Sequence, residues 1–133
     1  MRSEERSVEV RGRGFVDLTN QVREFVTGEQ DGLVNVFAPH ATVGLALIET
    51  GSGSESDLES ILDRVLPRDR DYVHGHGSPG HGADHLLPAF LSPSLVIPVD
   101  GGRLQLGTWQ SIVLVDLNVD NTQRKVRLSF VPG

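Results

Sequence analysis

The stretch that decides the fold class is residues 95–131, LVIPVDGGRLQLGTWQSIVLVDLNVDNTQRKVRLSFV. It contains apolar runs at 95–97 and 112–115, a returning segment at 103–106 and a cleanly alternating segment at 126–131, separated by turn residues. The segment Asp100-Gly101-Gly102 is typical of a tight β-hairpin turn. Because these runs have the pattern of strands, we expect the last three strands to form an antiparallel meander.

The residues before this stretch mix strand and helix patterns. Alternation at 7–13 and apolar runs at 33–37 and 43–48 predict three strands, the last of them buried on both faces. Apolar residues at helical spacing predict two main helices, one at 18–26 and one at 58–65. Helices and strands are segregated along the chain, which favours an α+β fold with a mostly antiparallel sheet.

Local signals set the expected helix ends. Asp17 or Thr19 is a candidate cap for the first helix, and Gly28 lies where a helix ends. Residues 54–57 resemble a capping box for the second helix. A further helical pattern begins at Ala83, although Pro88 is tolerated only near the first turn of a helix.

Length, net charge and cysteine content exclude several classes of function. The chain has 133 residues, which supports one domain over 1–133, and a net charge of −6, which argues against a nucleic-acid partner. No apolar run could span a bilayer, and the charged residues 1–6 lack a signal peptide pattern, so a cytoplasmic protein with no membrane partner is expected. The absence of Cys excludes disulfides, iron–sulfur clusters and thiolate zinc sites.

Four of the five histidines lie between His74 and His85, at the end of a Gly/His-rich loop. Imidazole is a common metal ligand, and an all-His or His-plus-carboxylate shell suits zinc, nickel, copper or iron. The spacings of two, five and four match no standard zinc signature, so a solvated loop is equally compatible with the pattern. His76 and His81 are the two expected bystanders.

Two other segments are candidates for chemistry. His40 follows a strand, where a lone histidine is usually a surface or packing residue, and Glu49 ends the predicted buried strand. The segment 107–110, Gly-Thr-Trp-Gln, holds the only Trp; Trp109 could stack on a flat ring, but capping of the core is the expected role. Phosphate-loop, dinucleotide-binding and nucleophile-elbow motifs are absent from the sequence.

Taken together, several segments occur in an order that resembles the YjbQ family. They are Pro39-His40-Ala41-Thr42-Val43-Gly44-Leu45, Glu49, Tyr72-Val73-His74, Asp84-His85-Leu86, Pro93-Ser94-Leu95 and Gly107-Thr108-Trp109-Gln110. The resemblance covers about residues 15–131, and that family has been assigned secondary thiamine-phosphate synthase activity. It implies an α+β domain with a β-sandwich-like core, assembled as a homotrimer.

The resemblance also implies a site. His40, His74 and His85 match the histidines of the family motifs and would hold a divalent metal, which we expect to be zinc, with magnesium possible alongside a diphosphate substrate. The acidic positions Glu49 and Asp116 would be catalytic. Residues expected to bind a small phosphorylated substrate are Thr42, Thr108, Trp109, Gln110 and Arg124, the last of which forms the family's basic pair with Lys125.

Departures from the family pattern leave the function open. Ala41, Ile48 and Leu87 replace polar residues of the pattern, so the departures affect substrate binding more than metal binding. The first hypothesis is thiamine-phosphate synthesis from a pyrimidine diphosphate and a thiazole phosphate. The alternatives are a metal-dependent hydrolase of a phosphorylated or acyl substrate, in which Glu49 handles the water proton, and a non-catalytic metal- or anion-binding oligomer.

Overall fold

In the residues that the computed structural model describes, 1–12, 14–75 and 77–133, the chain forms eight strands and three helices. The elements in chain order are β1 (Arg2–Glu9), β2 (Gly14–Asp17), α1 (Thr19–Val26), β3 (Gly32–Phe37), β4 (Gly44–Ile48), α2 (Ser54–Val65), α3 (His81–Phe90), β5 (Ser94–Asp100), β6 (Arg103–Leu104), β7 (Ser111–Asp116) and β8 (Gln123–Pro132). None of the described helices is both long and apolar enough to cross a membrane.

The strands form two antiparallel sheets. The large sheet has the order β1-β8-β3-β5-β6 and the small sheet the order β2-β7-β4. This confirms the α+β class, and the hairpin is also observed because Asp100 pairs with Arg103 across Gly101 and Gly102, both with positive φ. The predicted meander is wrong, since β7 enters the small sheet and β8 returns to the large sheet between β1 and β3.

The main core lies between the two sheets and includes α1, which gives the expected sandwich-like arrangement. Val34, Val36 and Leu128 contribute to it from the large sheet, and Leu45 and Leu114 from the small sheet. The helices α2 and α3 cover the other face of the small sheet through a second apolar cluster that includes Leu62 and Leu87. The small sheet is therefore the middle layer of the molecule.

The position of a strand in this stack determines its burial. The central strand β7 has five of its six residues buried, because both faces of the middle layer are covered. We predicted double burial for residues 43–48 instead, but β4 is an edge strand and its Leu47 is exposed. Strand periodicity does not say which strand will be central.

Several boundaries differ from the predictions. The first strand covers Arg2–Glu9, where its charged residues lie at the edge of the large sheet, and not 7–13. The expected capping box is absent, because Gly53 precedes α2 and Ser54 already belongs to the helix. The helix α3 begins at His81, two residues earlier than predicted, so Pro88 lies well inside it rather than near its first turn.

Candidate functional site

The helix α3 and the loop before it bring three histidines together. His81 and His85 are four residues apart on α3, a spacing that places two side chains on the same helix face. His74 comes from the loop that leads to α3. The left-handed conformation of Gly80, at φ +85°, turns the chain from this loop into the helix.

The three rings form a close cluster, which we call the histidine cluster: His74, His81 and His85. One ring nitrogen from each lies within 4.8 Å of the other two. The Nε2 atoms of His74 and His81 are 3.1 Å apart, and the ring centroids of His74 and His85 are 4.2 Å apart. The cluster is partly open to solvent, because His74 is exposed and the other two are half-buried.

Two glycines allow the loop to pack this closely. A Cβ at Gly82 would lie 2.6 Å from Tyr72 Cβ and 2.7 Å from the carbonyl oxygen of His74. A Cβ at Gly77, where φ is +94°, would lie 2.8 Å from the ring of His81. The Gly-rich composition of the loop thus has a steric reason, close approach to the histidines.

A buried carboxylate anchors the first turn of α3. Asp84 lies between His81 and His85 in sequence and is almost fully buried. It forms a salt bridge with Arg68, and its Oδ2 also accepts a hydrogen bond from Asn118 Nδ2 at 2.9 Å. Because Asn118 follows β7, this network fixes the helix against the carboxyl end of the central strand of the small sheet.

The cluster lies between two cavities of different chemistry. The polar cavity, of about 460 Å³, is lined by the charged residues of 68–71 and by the first turn of α3. The apolar cavity, of about 430 Å³, is lined by Tyr72, Val73, His74, Gly82, His85 and Leu86. His81 lines the polar cavity, His85 lines the apolar cavity and His74 lines both.

The structure places four other predicted site residues in a separate polar group, which we call the Arg124 cluster: His40, Thr42, Asp116 and Arg124. Both oxygens of Asp116 accept hydrogen bonds from Arg124, with Nε to Oδ2 at 2.7 Å, and Arg124 also donates to Thr42 at 2.8 Å. The ion pair is buried, with Arg124 only 5% exposed. The negative charge of Asp116 is therefore already neutralised by the Arg124 guanidinium.

His40 lies beside this ion pair. Its Nε2 accepts a hydrogen bond from the Lys125 amide at 2.9 Å and lies 3.1 Å from the Lys125 carbonyl oxygen. Burial lowers the pKa of His40 below its usual 6.5, and the positive charge of Arg124 lowers it further, whereas the Lys125 carbonyl and Asp116 oppose the shift. The neutral ring is thus favoured in the folded protein.

Glu49, Thr108, Trp109 and Gln110 lie at the opposite end of the small sheet. Antiparallel pairing of Gly44 with Val115 and of Ile48 with Ser111 places Glu49 and Asp116 beyond opposite ends of the β4–β7 pair. Gly44 and Ile48 are about 13 Å apart at ~3.3 Å per residue, so one copy of the chain cannot bring all these groups together. Glu49 accepts a hydrogen bond from Ser52, and Gln110 closes its own turn by accepting one from the Gly107 amide.

The grouping differs from the one that the resemblance implies. Within one chain, His74 and His85 meet His81, not His40, so the expectation that His81 is a bystander is at odds with its placement. His76, the other expected bystander, lies outside the described residues. Trp109 is 73% exposed, which rules out the expected core-capping role. The catalytic, substrate-binding and metal-binding roles of the predicted residues stay predictions.

The signal for His81 was present in the sequence. A spacing of four is the spacing of neighbours on a helix face, and it would have paired His81 with His85 if the helix had been predicted to begin two residues earlier. The Asp84 network leaves a weaker signal. Its partners Arg68 and Asn118 are 16 and 34 residues away, so only the tertiary structure identifies them.

The chemistry of the histidine cluster fits a divalent transition metal. Zinc takes neutral imidazole ligands at about 2.0–2.1 Å, which separates ligand nitrogens by about 3.3 Å in tetrahedral geometry. The His74–His81 nitrogen separation of 3.1 Å is close to that value, and all three nitrogens lie within 4.8 Å. Three such ligands would leave a coordination position for water or substrate.

Comparison with known proteins identifies the family. The family model described as "UPF0047 protein YjbQ-like" matches residues 4–133. A UPF0047 protein of Mycobacterium bovis is 64% identical over 126 residues, which cover 95% of this chain and 98% of that protein. The UPF0047 protein YjbQ of Salmonella typhimurium is 30% identical over 118 residues, 86% of each chain.

Solved structures agree with the sequence comparison. A hypothetical protein from Aeropyrum pernix K1 superposes with a TM-score of 0.91 at 29% identity and covers 100% of both chains. An uncharacterized conserved protein of the YjbQ/UPF0047 family from Clostridium acetobutylicum superposes with a TM-score of 0.86 at 30% identity, covering 96% of this chain and 99% of its own. With a family match across nearly its whole length and this shared fold, the chain belongs to the UPF0047 (YjbQ-like) family.

Proposed function

We propose that this protein is a divalent-metal-dependent enzyme that acts on a small phosphorylated molecule. The observation that carries the proposal is the convergence of His74, His81 and His85, whose ring nitrogens lie within 4.8 Å of one another. This set revises the metal ligands that the resemblance implies, because His81 takes the place of His40. A bound cation would supply Lewis-acid stabilisation of negative charge on a phosphate or a leaving diphosphate.

The donor set favours zinc over magnesium. Neutral imidazole suits zinc and other late transition metals, whereas magnesium prefers oxygen ligands and retains water. Magnesium would therefore enter only with the phosphate oxygens of a diphosphate substrate. The absence of Cys from the sequence leaves imidazole and carboxylate as the ligands that the chain offers such a metal.

The polar cavity supports a phosphorylated substrate. Arg70 lines it and lies with its Cζ 5.5 Å from the Tyr72 ring centroid, while Arg68 is already paired with Asp84. Because the carboxylates Asp69 and Asp71 line the same cavity, the excess positive charge for a phosphate would come from a metal at the histidine cluster. The first turn of α3 also lines this cavity, and the amino end of a helix favours negative charge. An anionic group in this cavity would lie next to His74 and His81.

Within this class, the reaction that the family resemblance implies is thiamine-phosphate synthesis. A hydroxymethylpyrimidine diphosphate would join a thiazole phosphate and release pyrophosphate. Such a displacement needs charge neutralisation at the leaving diphosphate more than it needs a general base. A metal held by the histidine cluster, beside the polar cavity, would meet this requirement. A hydrolase that depends on Glu49 has no comparable support, because Glu49 follows β4 and accepts a hydrogen bond from Ser52.

Metal binding is the first test. We expect the purified protein to contain zinc by elemental analysis and the apoprotein to bind Co²⁺ with the visible spectrum of a tetrahedral or five-coordinate site. His74→Ala, His81→Ala and His85→Ala should each weaken Co²⁺ binding at least tenfold. His40→Ala is the matched control and should bind as the wild type does. A protein indifferent to metal, or equal losses in all four variants, would contradict the proposal.

Complementation tests the reaction. We expect the wild-type protein to support growth of a thiamine auxotroph that lacks its own thiamine-phosphate synthase, and His85→Ala not to. Rescue by both proteins would remove the histidine cluster from the reaction. If neither protein rescues while Co²⁺ binding behaves as expected, the metal site stands and thiamine-phosphate synthesis is ruled out as its activity.

A further inference from the structure

The apolar cavity beside the histidine cluster has no role in the function proposed above. It is lined by Tyr72, Val73, His74, Gly82, His85 and Leu86, so two of the six lining residues are proposed metal ligands. Its volume of about 430 Å³ falls within the ~300–1,000 Å³ typical of small-molecule sites. An apolar concavity with a few convergent polar groups is the usual form of such a site.

The apolar side chains at this cavity are poorly covered by the protein itself. Val73 is fully exposed and Leu86 is 41% exposed, although both adjoin histidines in sequence. Tyr72 is held in place, because its hydroxyl donates a hydrogen bond to the Pro67 carbonyl at 2.7 Å. A flat or aliphatic group in the cavity would therefore meet one fixed ring and two aliphatic side chains that water otherwise surrounds.

We propose that the apolar cavity receives an aromatic or aliphatic group of the substrate, whose anionic group binds the metal held by the histidine cluster. The inference rests on the proposed function and narrows its substrate class to small molecules in which an apolar group is attached closely to a phosphate-like group. His74 supports this arrangement because it lines both cavities, so one ligand can reach the apolar cavity and the metal together.

The cavity size and its lining favour a small molecule over a second protein chain. The volume is that of a small-molecule site, and the lining includes Gly82, which has no side chain. Selectivity would come from Leu86 and Val73, since the histidines bind any anionic group through the metal. A ligand that lacks an apolar group should bind the same metal without using these two residues.

Phenylphosphonate and methylphosphonate are the probes, because they present the same anionic group with and without a ring. Binding of each to the Co²⁺-loaded protein is measured by the change in the visible spectrum and by calorimetry. We expect phenylphosphonate to bind roughly thirtyfold more tightly, from burial of the ring. Leu86→Ser and Val73→Ser should remove most of this preference and leave methylphosphonate affinity unchanged.

The matched control is Ile61→Ser, which removes an exposed aliphatic residue from α2, away from the cavity. It should keep the wild-type preference. Equal binding of the two probes to a protein that holds Co²⁺ through the histidine cluster would overturn this inference alone. Failure to bind Co²⁺ would overturn the proposed function and this inference with it. Light scattering of Leu86→Ser gives a further test. If this variant has a lower mass than the wild type and keeps the wild-type probe preference, a second chain covers the cavity, which also overturns the inference.

Discussion

At the scale of single residues, Gly82 is the position on which the histidine cluster depends most closely. An added methyl group there would meet Tyr72 Cβ at 2.6 Å and the backbone oxygen of His74 at 2.7 Å, and a backbone atom cannot move without the loop. We expect Gly82→Ala to lower the free energy of unfolding by about 1–3 kcal/mol, as overpacking does, and to weaken Co²⁺ binding at least tenfold. Urea unfolding and Co²⁺ titration measure the two effects.

The control for this variant is Gly107→Ala. Its added methyl group would meet only the flexible side chain of Gln110, at 3.3 Å, far from the histidines in sequence. Co²⁺ affinity should therefore be unchanged. If Gly82→Ala binds Co²⁺ as tightly as this control does, the close approach of the loop to α3 is not what arranges the cluster.

His40 should make the stability of the protein depend on pH. Its pKa in the folded state is lowered, by burial first and by Arg124 second, whereas in the unfolded chain the ring titrates at about 6.5. Between these two values the unfolded state binds more protons than the folded state. The stability that His40 contributes is therefore complete above about pH 6.5 and is lost as the pH falls toward the folded-state pKa.

Comparison with His40→Gln isolates this contribution, because the two proteins differ only at residue 40. Urea unfolding between about pH 7.5 and pH 5.5 should show the wild-type protein losing more stability than the variant. Parallel pH profiles would mean that His40 has the same pKa in the folded and the unfolded protein.

The residues of the site were predictable in part. His74 and His85 could be singled out because imidazole in a Gly-rich segment is chemically distinctive. His81 is a predicted bystander, whereas in α3 its spacing of four from His85 places the two side chains on one helix face. Arg68 and Asn118 could not be found, since their partner Asp84 is distant in sequence.

At the scale of elements, the placement of α3 determines whether the cluster can form. Asp84 joins this helix to Arg68 and Asn118, two residues outside it. In Asp84→Asn the salt bridge to Arg68 is lost, and we expect about tenfold weaker Co²⁺ binding together with faster amide hydrogen exchange in α3. Effects of 10- to 100-fold are usual when the groups that orient metal ligands are changed.

A matched control is Asp57→Asn, which removes an acidic residue from the first turn of α2. Both variants lose the favourable interaction of a carboxylate with a helix amino end, so the difference between them reports the Arg68 and Asn118 contacts. Equal Co²⁺ affinity in the two variants would show that the contacts of Asp84 with Arg68 and Asn118 do not affect metal binding.

Elements whose pattern is local were the ones predicted well. The helix α1 and the strand β3 follow the periodicity of their apolar residues, because each buries one face in the main core. The assignment of double burial to 43–48 failed because burial of the second face depends on which strand is central. The strand that is buried on both faces is β7, because it lies between two neighbouring strands of its sheet and both faces of that sheet are covered.

At the scale of the whole molecule, the α+β class follows from the segregation of helices and strands, but the strand order does not. The chain passes from the small sheet to the large one between β7 and β8, and β8 pairs with β1 and β3, which are more than 80 residues earlier in the chain. Such pairings are determined by the burial of apolar faces against each other. A pattern of alternating residues predicts which face of one strand is apolar, but it does not predict which strand lies beside it.

The outer face of the large sheet is a candidate subunit interface for the homotrimer that the family resemblance implies. Leu33 pairs with Val131 and Pro98 on neighbouring strands, and Leu33, Val131 and Val96 are all exposed. Contiguous exposed apolar residues of this kind mark interaction surfaces. We therefore expect the protein to run in light scattering at about three times the 14.5 kDa mass of one chain.

A charge at the centre of this face should prevent the assembly. Val96→Asp buries an unpaired carboxylate in any interface formed there, so we expect it to shift the protein toward the monomer mass while circular dichroism shows the same fold. Val119→Asp places the same charge on an exposed valine in the loop after β7, outside the sheet, and should leave the mass unchanged. A monomeric wild type would end the homotrimer expectation, and a trimeric Val96→Asp would move the interface to another surface.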